Sequence, residues 1–205
     1  TNYRNELMKY QWKTINHEII FQGYFRIEKF DLQHEKYGGG WTETFQREIF
    51  ERGSAVAVLP YDPVRDKVVL IEQFRAGGIG TIDPPWMKEI VAGIIEPGEL
   101  EQEVAEREIM EEAGCQLLQL EKITRFYVSP GGTTEQCTIF CGRVDSEGVG
   151  GIFGLDHEFE DIMVEVVDLK QAEIWLQDGT INSAASIIAL QWLLLNRDRL
   201  RQQWT

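Results

Sequence analysis

Polar and apolar residues alternate along the first fifty positions of the chain. Residues 17–33 (HEIIFQGYFRIEKFDLQ) and 38–53 (GGGWTETFQREIFERG) follow the two-residue period of strands that expose one face. The consecutive glycines Gly38, Gly39 and Gly40 mark a turn at the start of the second stretch. The region therefore predicts a small antiparallel meander.

After Gly53 the pattern changes to dense, β-branched apolar runs. Asp62 and Pro63 join the first two of these runs, which predicts a hairpin-like connection. The runs predicted as strands are 54–62 (SAVAVLPYD), 66–75 (DKVVLIEQFR), 88–95 (KEIVAGII), 121–130 (EKITRFYVSP), 135–145 (EQCTIFCGRVD) and 160–169 (EDIMVEVVDL).

Three helices are predicted in the same part of the chain. Strong helix formers extend from Leu100 to Ala113, and Gly114 stands where a glycine ends a helix. Two more helices are expected, one near 170–177 and one from about residue 182. A mixed sheet with few helices predicts an α+β fold, built as an α/β/α sandwich. We place a boundary near residue 52, with a β domain at 1–52 and the main domain at 53–205.

Composition and charge narrow the possible functions. The chain has 205 residues, 43% of them hydrophobic, and a formal net charge of -14, so it lacks the basic surface that nucleic-acid binding needs. Cys115, Cys137 and Cys141 lie in apolar contexts, which predicts buried thiols in a reducing compartment. We find no apolar core of signal-peptide length at the N-terminus, and the run Ile187–Leu195 is too short to span a bilayer. We expect a cytoplasmic protein without nucleic-acid or membrane partners.

The predicted helix at Leu100–Ala113 concentrates carboxylates beside its apolar face. On a helical wheel Glu101, Glu108 and Glu112 fall within an arc of roughly 40°. Like charges four residues apart destabilise a helix by roughly 0.2–0.5 kcal/mol per pair unless a cation lies between them. Two interpretations follow. The carboxylates form a solvated face on which Arg107 pairs with Glu103 and Glu111, or they bind Mg²⁺ or Mn²⁺.

The loop before this helix favours the metal interpretation. From Gly93 the chain reads GIIEPGELEQEVAEREIMEEAGC, with fixed spacings through Glu99, Arg107, Glu108, Glu111, Glu112 and Gly114. This stretch resembles the signature of the Nudix hydrolases. Cys115 departs from the larger aliphatic residue usual in the family, and we expect it to alter packing only.

The resemblance implies the Nudix fold and a hydrolase that cleaves a nucleoside diphosphate linked to another group. It implies several Mg²⁺ ions, with Mn²⁺ as an alternative, bound mainly by Glu108 and Glu112. Arg107 is expected to orient a glutamate such as Glu99. Glu111 is a weaker ligand candidate because the helical wheel turns it aside.

The loop SPGGTTE, residues 129–135, resembles the ADP-ribose branch of the family, in which the proline lies sixteen residues past the signature glycine. This branch implies Mg²⁺-dependent hydrolysis of ADP-ribose to AMP and ribose 5-phosphate. It implies a metal at the Ala92 carbonyl and at Glu160, and Glu158 as the general base, with Glu160 as the second candidate. The substrate-binding residues that it implies are Tyr24, Phe25, Arg47, Glu48, Arg75, Ile94, Ser129, Pro130, Gly131 and Glu135.

The same branch implies a homodimer that exchanges its N-terminal domains, so that the partner chain helps to hold the adenine. Taken without the family, Tyr24 and Phe25 are more typical of a meander core than of a base-binding site, and the acidic loop around Glu158 is more typical of solvated surface. Pro130 and Gly131 fit an ordinary turn and could serve both roles. Adjacent His157 is interpreted as a surface residue.

Two other functions stay open at this point. A pyrophosphatase for another nucleotide sugar, such as GDP-mannose, would share the metal site and the dimer. A non-catalytic Nudix-fold sensor that binds a nucleotide and regulates transcription is disfavoured, because the signature is intact, no helix-turn-helix is apparent and the chain is acidic.

Overall fold

The computed structural model describes residues 10–155 and 159–205, and the chain divides into two compact units. Unit 1 contains the described residues up to Gly53 together with Tyr127–Glu135. Unit 2 contains Ser54–Phe126 and the described residues from Gln136 to Thr205. The two units are built around separate sheets.

Unit 1 is a three-stranded antiparallel sheet. Its strands are β1 (Trp12–Gln22), β2 (Arg26–His34) and β3 (Phe45–Glu51), in the order β1-β2-β3, which confirms the predicted meander. The loop 127–135 joins this sheet through a hydrogen bond from the Phe50 amide to the Gly132 carbonyl, at 2.8 Å.

Unit 2 contains a mixed sheet of eight strands within its described residues. Strand β4 pairs with β9 in parallel and with β5 antiparallel, and the order is β10-β11-β5-β4-β9-β8, with β6 on β5 and β7 on β4. The strands are β4 (Ala55–Asp62), β5 (Lys67–Phe74), β6 (Trp86–Glu89), β7 (Val91–Ile94), β8 (Gln119–Tyr127), β9 (Gln136–Arg143), β10 (Gly151–Phe153) and β11 (Ile162–Asp168). The helices are α1 (Glu101–Ala113), α2 (Leu169–Asp178) and α3 (Ala184–Trp204), with a 3₁₀ turn at Ala76–Gly78.

Both faces of this sheet are buried, as the predicted sandwich requires. Val56 and Val58 of β4 pack in a core with Ile109 of α1. The alternate residues Ala57 and Leu59 pack in the core on the opposite face, which includes Leu190 and Leu193 of α3. A strand that is buried on both faces reads as a continuous apolar run, which explains the pattern of residues 54–62. The α/β/α prediction is confirmed.

Helix α1 has the predicted limits to within one residue. It ends at Ala113, and Gly114 takes the left-handed conformation with φ of 60°, which favours glycine. Ala105, Ile109 and Ala113 are completely buried, which confirms the predicted apolar strip. The apolar strip therefore presses α1 onto the sheet and brings its neighbouring carboxylates with it.

The run KEIVAGII was predicted as one strand, and this prediction is wrong. Strand β6 follows β5 as far as Glu89, opposite Ile71, whereas β7 follows β4 from Val91, opposite Val58. Ile90 lies between the two strands, and its buried amide donates to the Ser186 hydroxyl of α3, at 3.1 Å. The sequence of an apolar run does not show which strand it pairs with, so the change of pairing partner at Ile90 could not be predicted from the hydrophobic pattern. The short strand β10 was also not predicted.

All three cysteine side chains are buried, as predicted. Within the described part of the chain, no helix is both long and apolar enough to cross a membrane.

Replacing Ser186 with alanine is expected to destabilise the protein by roughly 1–3 kcal/mol, because the buried amide of Ile90 would lose the hydroxyl that accepts its hydrogen bond. The measurement is equilibrium unfolding in urea. Ser183→Ala is the matched control, since it removes the neighbouring hydroxyl, which is 2.7 Å from that of Ser186, and spares Ile90. Equal losses in the two variants would contradict the proposed importance of the Ile90 bond.

Candidate active site

The Glu108 carboxylate lies directly against the backbone of β7 at Gly93. A Cβ atom added to Gly93 would lie 1.7 Å from Oε1 of Glu108 and 2.0 Å from its Cδ. No side chain fits at this position while Glu108 keeps its place. The signature glycine therefore allows α1 to bring a carboxylate onto the strand.

Glu112, one turn further along α1, is almost completely buried, with 3% of its surface exposed. Its Oε2 accepts a hydrogen bond from the Ala92 amide at 3.0 Å. The pKa of Glu112 is raised to about 8, chiefly by burial and also by the charges of Glu108 and Glu160, while the Ala92 hydrogen bond and the charge of Arg75 oppose the rise. A carboxylate in this position would be stabilised as an anion by a nearby cation.

Arg107 connects the loop before α1 to the acidic face of the helix. Its Nη1 donates to Oε1 of Glu108 at 2.7 Å and to Oε2 of Glu111 at 3.1 Å. Its Nε donates to Oε1 of Glu99 at 3.3 Å, and Glu99 also accepts the Glu96 amide at 2.8 Å. Burial raises the pKa of Glu108, and the positive charge of Arg107 opposes that rise. The contact expected between Arg107 and Glu99 is present, and its part in binding metal stays a prediction.

The interpretation of α1 as a solvated face is wrong for Glu112, which is buried. Of the two pairs in that interpretation, Arg107–Glu111 is present, whereas the carboxylate of Glu103 accepts the Leu100 amide at 3.2 Å and has no described pairing with Arg107. Glu112 is buried rather than solvated because the packing of Ala105 and Ile109 brings the adjacent acidic residues against the sheet.

Glu101, the third carboxylate of the predicted arc, is engaged elsewhere. It pairs with Lys122 at 2.9 Å and with Arg125, both on β8, and accepts the Thr138 hydroxyl at 2.9 Å. The first turn of α1 thus faces basic residues, whereas the later turns face the backbone of β7.

Glu160 lies at the edge of the described region, half-buried. Its Oε2 accepts the Leu155 amide at 3.4 Å, and its charge acts on both Glu108 and Glu112. Glu158, the predicted general base, and its neighbour His157 lie outside the described residues.

Arg75 follows the end of β5, and its Nε donates to Oε2 of Glu89 at 2.6 Å. Its positive charge lowers the pKa of Glu112, although burial dominates there. Ile94 is half-buried at the end of β7, opposite Ala55 of β4. Arg75, Ala92, Ile94 and the signature carboxylates thus belong to one unit.

The donor set of unit 2 fits a hard divalent cation. Carboxylate oxygens are the ligands that Mg²⁺ and Mn²⁺ prefer, and Glu112 is a carboxylate whose ionisation is disfavoured by burial and by the charges of Glu108 and Glu160. Among the described residues, no three His, Cys, Asp or Glu side chains already form a closed metal site. An ion would therefore require additional oxygen ligands, such as backbone carbonyls and water.

In unit 1 the four predicted base-binding residues belong to two neighbouring segments. Tyr24 is 88% exposed, so it is not part of the meander core. Phe25 is half-buried and packs edge-to-face on Tyr24 at 4.7 Å and on Phe50 at 5.1 Å between ring centroids. Arg47 and Glu48 are exposed on β3, and the Arg47 guanidinium lies over the Phe45 ring at 4.7 Å.

The loop Ser129–Glu135 forms a turn whose ends are fixed. The Ser129 carbonyl accepts the amides of Gly132 and Thr133, each at 3.0 Å. Glu135 is buried and lies 3.5 Å from Nε of Arg52, whose guanidinium also lies over the Phe25 ring at 5.4 Å. The turn expected at Pro130 and Gly131 is therefore present, and it leaves both residues exposed.

Two residues that contact predicted site residues were not singled out from the sequence. Arg52 joins Glu135 to Phe25 in unit 1, and Glu89 binds Arg75 in unit 2. Arg52 lies in an alternating stretch, REIFERG, and Glu89 in an apolar run, KEIVAGII, but neither pattern shows which distant residue a side chain contacts.

Comparisons with known proteins agree with this arrangement. A family model for the NUDIX domain matches residues 40–190. The chain belongs to the Nudix hydrolase family. Among Nudix relatives, the ADP-ribose pyrophosphatase of Escherichia coli (strain K12) is 45% identical over 190 residues, covering 93% of this chain and 91% of that protein. The GDP-mannose pyrophosphatase of Cronobacter sakazakii is 31% identical over 191 residues, covering 88% of this chain and 94% of that protein.

Similarity to a solved structure supports the fold. The structure is described as the crystal structure of ADP compounds hydrolase. The match covers 95% of this chain and 96% of the solved chain, with a TM-score of 0.69 and 24% sequence identity. The agreement confirms the fold class predicted from the sequence.

Replacing Gly93 with alanine is expected to reduce hydrolase activity by about 10²-fold, a loss that a misplacement of about 1 Å in an active site can cause. The new methyl group displaces the end of the Glu108 side chain, which is flexible, so the fold should tolerate it. The measurements are turnover and thermal unfolding. Gly38→Ala is the control, because no atom lies within 4 Å of its added Cβ. Near-normal activity of Gly93→Ala would show that the position of Glu108 is unimportant.

Proposed function

We propose that this Nudix chain hydrolyses the pyrophosphate of ADP-ribose to AMP and ribose 5-phosphate in a reaction that depends on divalent metal. The observation that supports it most strongly is the buried Glu112 beside Glu108 at Gly93, within a chain 45% identical to an ADP-ribose pyrophosphatase along 93% of its length. Water supplies the oxygen that bonds to phosphorus, the bridging P–O bond breaks, and a general base takes the proton.

Glu108, Glu112, Glu160 and the Ala92 carbonyl would hold several Mg²⁺ ions, or Mn²⁺ in their place. When bound, such ions neutralise phosphate oxygens and lower the pKa of water. Arg107 would keep Glu108 in position, because it already joins that carboxylate to Glu99. Glu111 shares the same guanidinium and is the weaker ligand candidate.

Glu158 would accept the proton of the attacking water, with Glu160 as the alternative base. Arg75 would bind phosphate oxygens through its guanidinium. Because the chain has a net charge of -14, an anionic substrate requires this local positive charge together with the metal.

Unit 1 would hold the rest of the substrate. Tyr24 and Phe25 would stack on the adenine, with Arg47 and Glu48 beside it, and the loop with Ser129, Pro130, Gly131 and Glu135 would line the ribose together with Ile94. The 88% exposure of Tyr24 supports stacking, since an aromatic ring that is not used in a core is available to a base.

The working form would be a homodimer that exchanges residues 1–52, with residues 53–205 as the hydrolase domain. Strand β1 supports this proposal, because its residues Trp12, Ile15, Ile19 and Phe21 are each more than half exposed. Apolar exposure of this extent is typical of a surface that another chain covers. The buried thiols support a cytoplasmic location.

The nearest alternative is cleavage of another nucleotide sugar such as GDP-mannose. ADP-ribose is favoured by the loop at 129–135 and by the higher identity to the ADP-ribose pyrophosphatase, 45% against 31%. A non-catalytic sensor is disfavoured by the intact signature.

Purified protein is expected to cleave ADP-ribose in preference to GDP-mannose and other nucleotide sugars, and only when Mg²⁺ is present. Phosphate released after phosphatase coupling measures the reaction, and EDTA should abolish it. Glu112→Gln serves as the inactive control, because it keeps the shape of the side chain and removes its charge. Preferred cleavage of GDP-mannose would overturn the choice of substrate, and full activity in EDTA would overturn the metal dependence.

Glu158→Gln is expected to lower kcat by about 10²–10⁴-fold, the usual effect of removing a general base. Glu160→Gln is expected chiefly to raise the Mg²⁺ concentration needed for half-maximal activity. The measurement is kcat at saturating substrate across a Mg²⁺ titration. A larger fall in kcat for Glu160→Gln at saturating Mg²⁺ would exchange the two assignments.

A further inference from the structure

Glu89 and Arg75 form an ion pair beside the acidic face of α1. Nε of Arg75 donates to Oε2 of Glu89 at 2.6 Å. The Glu89 side chain is only 13% exposed, whereas that of Arg75 is 41% exposed. The carboxylate is therefore the enclosed partner, and the guanidinium extends from it towards solvent.

The pairing of β5 and β6 shows that Arg75 folds back to reach Glu89. Glu89 lies opposite Ile71, whereas Arg75 follows Phe74, which lies opposite Trp86. Four residues along a strand correspond to about 13 Å. A long side chain must therefore run along the sheet to make this contact, and Glu89 supplies the reason for that direction.

Glu89 lies on the face of the sheet that α1 covers. Residues directly opposite each other in a sheet share a face, and Ile71 belongs to the core that includes Ile109 of α1. The adjacent Lys88 points to the other face, where its Nζ lies 5.0 Å from the Trp175 ring centroid of α2. Arg75 is therefore drawn towards the face that holds Glu108 and Glu112.

A single bond through Nε leaves the far edge of the guanidinium available. Among the described residues, Nη1 and Nη2 of Arg75 have no hydrogen-bond partner in the protein. These two nitrogens form a planar pair of donors that matches two oxygens of a phosphate group.

We propose that Glu89 is a positioning residue that holds Arg75 by Nε, so that Nη1 and Nη2 face the diphosphate of the bound substrate. This inference rests on the proposed function only in requiring a diphosphate substrate. A residue at position 89 without an acceptor would leave the Arg75 side chain without this restraint, and a bound diphosphate would then have to order it.

Glu89→Ala is expected to raise KM for ADP-ribose by about tenfold, the scale of one hydrogen bond to a charged group, with kcat changed much less. Glu89→Gln keeps an acceptor for Nε and should give an intermediate KM. Glu72→Ala is the matched control, because Glu72 lies on the paired strand β5 and binds Lys88 at 3.0 Å instead of Arg75. Its KM should equal that of wild type.

A double-mutant cycle separates positioning from general stabilisation. Arg75→Ala should raise KM at least as much as Glu89→Ala, and the double variant should equal Arg75→Ala alone, because Glu89 acts through Arg75. Additive losses, or an unchanged KM in Glu89→Ala, would overturn the proposal. Thermal unfolding is measured for every variant, and Glu89→Gln decides the outcome where Glu89→Ala does not fold.

Turnover by the wild-type protein, measured first, separates a failure of this proposal from a failure of the proposed function. If the wild-type protein prefers another nucleotide sugar, the choice of ADP-ribose fails and the same cycle is run on the preferred substrate. If it cleaves no diphosphate at all, both proposals fail.

Discussion

The close approach of α1 to strand β7 is the constraint on which the acidic site depends. The Glu108 carboxylate occupies space that any side chain at position 93 would need, and Glu112 accepts the amide of the preceding residue, Ala92, at 3.0 Å. Both contacts follow from burying the apolar strip of α1 against the sheet. Packing energy thus holds two carboxylates against a short strand, a position that they would not take by themselves.

This arrangement has an electrostatic consequence. Burial raises the pKa of Glu108 and brings that of Glu112 to about 8, because the protein surrounds each anion with little water and with other carboxylates. Arg107 offsets part of this cost at Glu108, and Arg75 offsets part of it at Glu112. The remaining excess of negative charge is what a divalent cation would compensate, so the same packing that disfavours the anions favours binding of metal.

Support for the site comes from both faces of the sheet of unit 2. On one face α1 supplies the carboxylates. On the other, the Ser186 hydroxyl of α3 accepts a hydrogen bond from the Ile90 amide, where the chain passes from β6, which pairs with β5, to β7, which pairs with β4. Glu89, just before this junction, binds Arg75, and Ala92, two residues after it, donates its amide to Glu112, so a buried hydroxyl helps to set the geometry of residues on the opposite face.

The sequence by itself determined the local elements and the identity of the acidic residues. Periodicity placed the meander and the first hairpin, helix formers followed by Gly114 gave the limits of α1, and the wheel put Glu108 and Glu112 beside the buried strip. Only the tertiary structure decided that Glu112 is buried whereas Glu101 is bound by Lys122 and Arg125, that KEIVAGII is two strands, and that Glu89 binds Arg75. The physical reason is that periodicity reports the face a side chain takes, whereas its partners come from segments distant in the chain and are fixed only when the sheet assembles.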